Sequence, residues 1–327
     1  MFSVVMPSYN SAPFIEEAIE SVLRQSHPEL ELIVCDDGSR DGTLEIVGKH
    51  MARDRRIRLL RNGFGSVSLN CNAAIREASC PWIARLDADD VMHPHRLQLQ
   101  AAAIAANSSV VAWGGFAWWI NRRGERLRLT APGPTTDSAF RAMRAEGNLI
   151  FVAAATATYR RDVVQAVGGY DHRFDTAEDV DLLYRMMPYG SVRVIPQVLA
   201  FYRLHGSSFT ASRAAHQERL NRYIKLRDRA HLAKADFMPL ERYLTEASAM
   251  PLHERAAERI RAVGRQAYFN ARVEHAEGRL ALAAAHAGVA LLLTPRRSLK
   301  RYFNGYRLRR SARAALSMAP SVPGLPL

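Results

Sequence analysis

The chain has 327 residues, 48% hydrophobic and 24% charged, which excludes a disordered or low-complexity protein and suffices for a sizeable core plus an appendage. Its net charge of +13 sits at one end: residues 1–210 carry 23 Lys/Arg and 23 Asp/Glu, and residues 211–327 carry 22 and 9. That asymmetry points to an acidic partner for the tail alone.

Ser3-Val4-Val5-Met6 reads as a buried strand. Because the chain runs straight into a strand-and-turn pattern, no signal peptide is expected. Pro7-Ser8-Tyr9-Asn10 is the following loop, and Pro13 takes a first helical position with Glu16 and Glu17 in the first turn. Phe14, Ile15, Ala18, Ile19, Val22 and Leu23 recur at helical spacing. Leu32-Ile33-Val34-Cys35 is a second buried strand that ends in Asp36-Asp37-Gly38-Ser39-Arg40-Asp41-Gly42-Thr43. Strand, acidic glycine-bearing turn and helix make a parallel βαβ unit with a right-handed crossover. A third strand over 57–60 precedes the loop at Gly63 and Gly65 and a helix over 66–78. Trp82-Ile83-Ala84-Arg85-Leu86 is then an apolar run closing on Asp87, Asp89 and Asp90, with a helix signalled from Pro94 onward.

After residue 106 the rhythm changes. Residues 110–120 read as a strand, 121–124 as a turn, and 126–129 as a strand pairing back antiparallel. Further strands are expected over 151–159 and 192–202, with helices over 161–167 and 178–187. From 211 to about 316 the pattern is helical, broken at Pro239, Pro251 and Pro295. Cys35, Cys71 and Cys80 have no metal-type spacing and read as reduced core thiols.

Ligands of an open parallel sheet bind beyond the carboxyl ends of its strands. Asp36, Asp37, Asp87, Asp89 and Asp90 all fall there, Glu178 and Asp179 open a later helix, and His205 follows a late strand. Carboxylates this close repel unless something positive lies between them, and a hard divalent cation meets that need. The plainer alternatives are helix capping for the Asp cluster, a turn former for Asp37, helix N-terminal charge for Glu178-Asp179 and a loop histidine for His205. Trp113, Trp118 and Trp119 suit either a sugar platform or a core and interface strip. There is no G-x-G-x-x-G after the first strand, no P-loop lysine motif, no G-x-S-x-G and no H-E-x-x-H, which excludes the commonest rival chemistries.

Over residues 2–210 the chain resembles glycosyltransferase family 2 with the GT-A fold. The resemblance is carried by Val5-Met6-Pro7-Ser8-Tyr9-Asn10, Asp36-Asp37-Gly38-Ser39-x-Asp41-Gly42-Thr43 and Ala84-Arg85-Leu86-Asp87-Ala88-Asp89-Asp90. Gly168-Gly169-Tyr170-Asp171, Glu178-Asp179 with Asp181-Leu182, and Tyr202-Arg203-x-His205 follow in the family's order. Asn72-Ala73-Ala74 departs from a frequent Asn-x-Gly, and Ser79-Cys80-Pro81 from a glycine-bearing turn.

The resemblance implies an α/β architecture: a Rossmann-like, mostly parallel central sheet flanked by helices, with 1–210 as catalytic domain and 211–327 as a basic helical extension. It implies that Pro7 and Tyr9 line a base pocket, that Asp37 hydrogen-bonds the base, and that Asp87 faces the ribose. Asp89 would bind Mn²⁺ or Mg²⁺, His205 would add a metal or diphosphate contact, and Asp179 would be the catalytic base, with Arg85 and Arg203 fixing the cluster. The expected activity is inverting transfer from a nucleotide-diphosphate sugar, a UDP-sugar favoured, to a saccharide or lipid-linked acceptor in bacterial surface polysaccharide or glycolipid synthesis. The alternatives are a catalytically silent membrane-associated scaffold with this fold, or a nucleotidyltransferase.

Residues 296–313 hold Arg296, Arg297, Lys300, Arg301, Arg307, Arg309, Arg310 and Arg313, no acid, and interleaved Leu299, Tyr302, Phe303, Tyr306 and Leu308. Such a segment suits a helix on an anionic membrane surface, or one packed on the catalytic domain. No nucleic-acid module accompanies it, so no nucleic-acid partner is expected. The expected location is cytoplasmic, peripheral on the inner face of the membrane. The apolar stretch at 280–293 is too short to span a bilayer, which takes about 20 residues.

Overall fold

A computed structural model describes residues 1–205, 214–249 and 251–295. Four parallel strands, β1 (Phe2–Ser8), β2 (Leu30–Asp36), β3 (Ile57–Arg61) and β4 (Trp82–Arg85), lie in the order β3-β2-β1-β4. Alternate residues of β1 enter different cores. Val4 and Met6 pack with Ile15, Ile19 and Val22 of α1 (Ile15–Leu23), while Val5 packs with Cys71 and Ile75 of α3 (Val67–Glu77). Leu32 and Val34 of β2 enter the first core and Ile33 and Cys35 the second, so both faces of β1 and β2 are covered, which is why they read as apolar runs.

Helix α1 starts two residues later than Pro13 suggests. The amides of Ser11 and Ala12 are taken by Thr43 Oγ1 at 2.8 Å and Asp41 Oδ2 at 3.1 Å, so the loop after β1 is tied to the start of α2 (Thr43–Met51) before helix can form. Asn10, at φ +47°, binds the same loop through its side chain, accepting from the Arg40 amide at 2.9 Å.

Beyond β4 come β5 (Val91–Met92), α4 (Arg96–Ala106), β6 (Val110–Ile120), β7 (Arg126–Thr130) and α5 (Asp137–Ala145). They are followed by β8 (Thr158–Arg160), α6 (Arg161–Ala166), α7 (Glu178–Met186) and β9 (Ser191–Arg203). The sheet continues β4-β8-β6-β9-β5, with β7 on β6. β8 runs antiparallel to both neighbours and β6 parallel to β9, so the parallel character expected of the sheet belongs to its first half and the second half is mixed.

The strand expected over 151–159 is reduced to Thr158–Arg160, after a 3-10 turn at Ala154–Thr156. Side chains of α4 explain the loss. Arg96 donates to the carbonyls of Ala155 at 2.5 Å and Ala157 at 2.8 Å, and Gln100 to that of Thr156 at 2.9 Å. The carbonyls of Ala155 and Thr156, acceptors a ladder would use, are thus satisfied without one. Arg96 is fully buried, and burial draws its pKa down to about 9.

The C-terminal helices are α8 (Ala214–Leu232), α9 (Leu240–Ser248), α10 (Leu252–Ala276) and α11 (Leu280–Leu293). Leu220, Tyr223 and Ile224 of α8 join the core that holds Leu182 and Leu183 of α7. Asp181, buried in α7, accepts from Arg185 and from Arg227 of α8, each at 2.7 Å. Arg272 of α10 stacks 4.2 Å from the ring centre of Trp119, so that aromatic strand meets the C-terminal helices, while Trp113 is buried. All three cysteines are buried and free. The basic segment 296–313 lies outside the described residues.

Candidate active site

The site is built on one sheet edge. Ser8 lies opposite Asp36, and Val5 opposite Arg85, so β1, β2 and β4 deliver Pro7 to Tyr9, Asp36-Asp37 and Arg85 to Asp89 to the same side. Pro7 is buried and Tyr9 is 60% exposed. Asp36 turns inward: one oxygen accepts from the amides of Gly38 at 3.0 Å and Ser39 at 2.9 Å. Asp37 does something the sequence reading missed. It accepts from the amides of Phe64 at 2.7 Å, Gly65 at 3.1 Å and Ser66 at 3.0 Å, clasping the loop after β3 with both oxygens.

Arg85, 5% exposed, joins two distant acidic motifs. Its Nε lies 2.9 Å from Asp87 Oδ1 and its Nη1 3.1 Å from Glu178 Oε1. The Tyr170 ring faces its guanidinium at 5.7 Å. Asn72 of α3 grips Tyr170 in turn, accepting from its amide and donating to its carbonyl, both at 2.8 Å. Gly169, at φ +73°, is forced there, because a Cβ would sit 2.4 Å from Asn72 Oδ1. Asn72 and Tyr170 were both invisible as partners in the sequence, although the Gly-Gly-Tyr turn flagged the place.

Glu178 and Asp179 open α7. Burial, opposed by Arg85 and reinforced by Asp179, raises Glu178 to about 7. Asp179 is raised first by burial, with Arg85 opposing and Asp87 adding, while its Oδ1 accepts from the Val180 amide at 2.8 Å. Asp87 also adds to a rise at Asp90 that burial dominates, so one carboxylate is felt by the motifs at both ends.

Asp89 Oδ2 lies 2.8 Å from His205 Nε2. The Asp89 side chain stays 31% exposed while that of His205 is 9% exposed, its ring 5.0 Å from that of Phe14. The buried Arg203 fixes this turn from behind. It donates to the Asp89 carbonyl at 2.9 Å, to the Asn121 carbonyl at 3.1 Å and to Glu17 of α1 at 2.6 Å, and its amide donates to Asp90 Oδ1 at 2.8 Å. Asp90 is wholly buried, and its Oδ2 has no hydrogen-bond partner among the described residues. It faces the protein interior and not the crevice.

Arg85, Asp87, Asp89, Glu178, Asp179 and His205 thus form one linked group, drawn from the ends of β4, α7 and β9. Pro7, Tyr9 and Asp37 lie along the same strand edge, where Asp37, Asp87 and Arg85 all act on the buried Cys35 thiol.

The glycosyl transferase family 2 model matches residues 3–168. Hyaluronan synthase of Pasteurella multocida is 22% identical over 222 residues, 67% of this chain and 22% of that protein, so the chain spans under a quarter of that relative. Among solved structures, S. aureus TarS 1–349 in complex with UDP-GlcNAc has a TM-score of 0.57 at 19% identity, covering 93% of this chain and 92% of that one. The mannosyltransferase PcManGT from Pyrobaculum calidifontis, in complex with GDP-Man and Mn²⁺, has a TM-score of 0.51 at 19% identity over 97% of this chain and 83% of that one. These likenesses establish the GT-A fold.

Proposed function

The chain belongs to glycosyl transferase family 2, and from that premise we propose that it transfers a sugar from a nucleotide-diphosphate donor to an acceptor hydroxyl with inversion at the anomeric carbon. The observation that carries this reading is the double ion pair of Arg85, which binds the Asp87–Asp89 turn to the Glu178–Asp179 helix start. Tying those two motifs together supports a reading in which the acceptor's base and the donor's carboxylates share one crevice.

In this reading Asp179 takes the proton of the attacking hydroxyl. Burial raises its pKa, which brings a carboxylate closer to the working pH and makes it a better base. Glu178 is committed to Arg85 and is not a second nucleophile. One available carboxylate supports direct displacement, whereas retention through a covalent intermediate needs a pair. Asp87 faces the ribose, and Pro7 and Tyr9 line the base pocket. Asp37 shapes that pocket's wall by holding the amides of residues 64–66.

Asp89 and His205 fit a hard divalent cation. A carboxylate still partly open to solvent beside an imidazole nitrogen is a donor set that Mn²⁺ or Mg²⁺ accepts, with water filling the remaining positions. When bound, the ion supplies positive charge to the departing diphosphate.

The UDP-GlcNAc in the TarS complex and the GDP-Man and Mn²⁺ in the PcManGT complex support a nucleotide-sugar donor and a metal, a UDP-sugar being favoured. The similarity to hyaluronan synthase supports a saccharide acceptor, and we extend the reading to a lipid-linked one in surface polysaccharide or glycolipid assembly. The test is a panel of UDP-, GDP- and dTDP-sugars with and without Mn²⁺, read by thermal shift and by the anomeric configuration of the product in NMR. A metal-dependent shift and an inverted product are expected. No shift with any donor, or a retained anomer, overturns the assignment.

A further inference from the structure

The α10–α11 hairpin contains none of the candidate active-site residues. Helix α11, Leu-Ala-Leu-Ala-Ala-Ala-His-Ala-Gly-Val-Ala-Leu-Leu-Leu, contains no charged residue. A helix apolar on every side is stable in water only if every side is covered. Helix α10 covers one: Ala283 and Ala290, two turns apart on one face, are buried. The helices meet closely at Gly264, where a Cβ would lie 2.7 Å from Thr294 Cγ2. Among the described residues, much of the rest of α11 is exposed. Leu282 is 50% exposed, Leu291 45% and Leu292 83%, and on α10 Ile260 is 48% exposed and Val263 47%. Large aliphatic residues exposed at this density mark an interaction surface.

Span and charge select the occupant. The 14 residues of α11 reach about 21 Å at the helical rise, short of the roughly 30 Å of hydrocarbon in a bilayer. Among the described residues no helix is long and apolar enough to cross a membrane, so such a helix would lie along one. The whole positive excess of the chain falls in residues 211–327, and directly after α11 residues 296–313 hold eight Lys/Arg and no acid. A second copy of the chain would bring two C-terminal regions of the same positive sign together. An anionic bilayer answers both the apolar face and the charge.

We propose that the open face of the α10–α11 hairpin docks on an anionic lipid bilayer, with α11 in the plane of the interface and Leu282 and Leu292 at the acyl boundary. The exposed leucines supply apolar burial, and the basic sequence that follows supplies attraction to the headgroups. This docking is independent of the sugar-transfer reading: the chain can bind vesicles without turning over a donor, and the reverse.

The test is flotation of the full chain with vesicles of phosphatidylcholine alone and of an equal mixture of phosphatidylcholine and phosphatidylglycerol. Binding to the mixed vesicles is expected, weakening at high salt, with little binding to the neutral ones. Leu282→Glu and Leu292→Glu should each lower it about tenfold or more, the scale set by one leucine side chain's burial. Both positions are solvent-facing, so circular dichroism and nucleoside diphosphate release in solution should match the parent chain. Equal binding to both vesicle types, no binding, or unchanged binding by both variants overturns the proposal. So does a dimer in sedimentation equilibrium that Leu292→Glu dissolves, which would give this face to a second copy.

Discussion

Arg85 Nε sits 2.9 Å from Asp87 while Nη1 of the same guanidinium sits 3.1 Å from Glu178, 91 residues further along the chain than Asp87. Removing one partner of a buried pair strands the other's charge, at a cost of about 3–5 kcal/mol. Arg85→Met should therefore lose stability on that scale in urea unfolding and lose turnover with it. Arg85→Lys should rescue poorly, because an ammonium cannot reach both carboxylates as a planar fork does. Full activity in Arg85→Lys would remove the bridge from the account.

The pH dependence follows from Glu178. Its carboxyl stands at about 7 in the fold, against an ordinary 4.5, chiefly through burial. Folded protein therefore keeps a proton that the unfolded chain has already lost. This contribution is fully present below the ordinary value and disappears as pH rises through about 7. Glu178→Gln cannot ionise, so its melting temperature should fall less over that window than the parent's. A parallel decline in both would place the effect elsewhere. Asp179 is raised too, so the acid limb of kcat should lie above the usual aspartate range.

Binding and turnover should separate by residue. Asp89→Ala should abolish the Mn²⁺-dependent part of the thermal shift given by a nucleoside diphosphate. Asp179→Asn should leave that shift in place and lower kcat by about 10²–10⁴-fold, the usual worth of a general base. Equal loss of both properties in Asp179→Asn would undo the assignment of the base.

Gly169 and Asn72 should behave as one unit. Gly169→Ala places a Cβ into Asn72 at a positive φ, which costs about 1–3 kcal/mol. Asn72→Ala leaves the Tyr170 amide and carbonyl without their partner, about 1–3 kcal/mol. The double variant should cost less than the sum, since the alanine at 72 makes room for the new methyl. Strict additivity in chemical unfolding would show that the contact does not couple them.

Asp37 offers a test of how the donor pocket is made. Because its carboxylate holds three amides of residues 64–66, Asp37→Ala should weaken UDP and GDP binding by similar factors in calorimetry. A loss confined to one base would show that Asp37 reads the base edge itself.

Much of this was legible in the sequence because it is local. The apolar runs of β1 and β2, the glycine-bearing acidic turn at Asp36 to Thr43 and the Asp87–Asp89 pair announce themselves through residue order alone, and so did Glu178-Asp179 at a helix start. The apolar run at 280–293 was legible too, since it depends on no partner, but the break that separates α11 from α10 was not.

What the tertiary structure alone decided is which carboxylate faces where. Asp36, Asp37, Asp89 and Asp90 are the same chemical group in similar turns. Yet Asp36 caps its own loop, Asp37 clasps residues 64–66, Asp89 meets His205 and Asp90 is buried behind Arg203. Likewise the strand expected at 151–159 gave way to Arg96 and Gln100, which reach its carbonyls from α4. Residue type sets what a side chain can bond, but the partner comes from a distant part of the chain, and only packing brings that part within hydrogen-bond range.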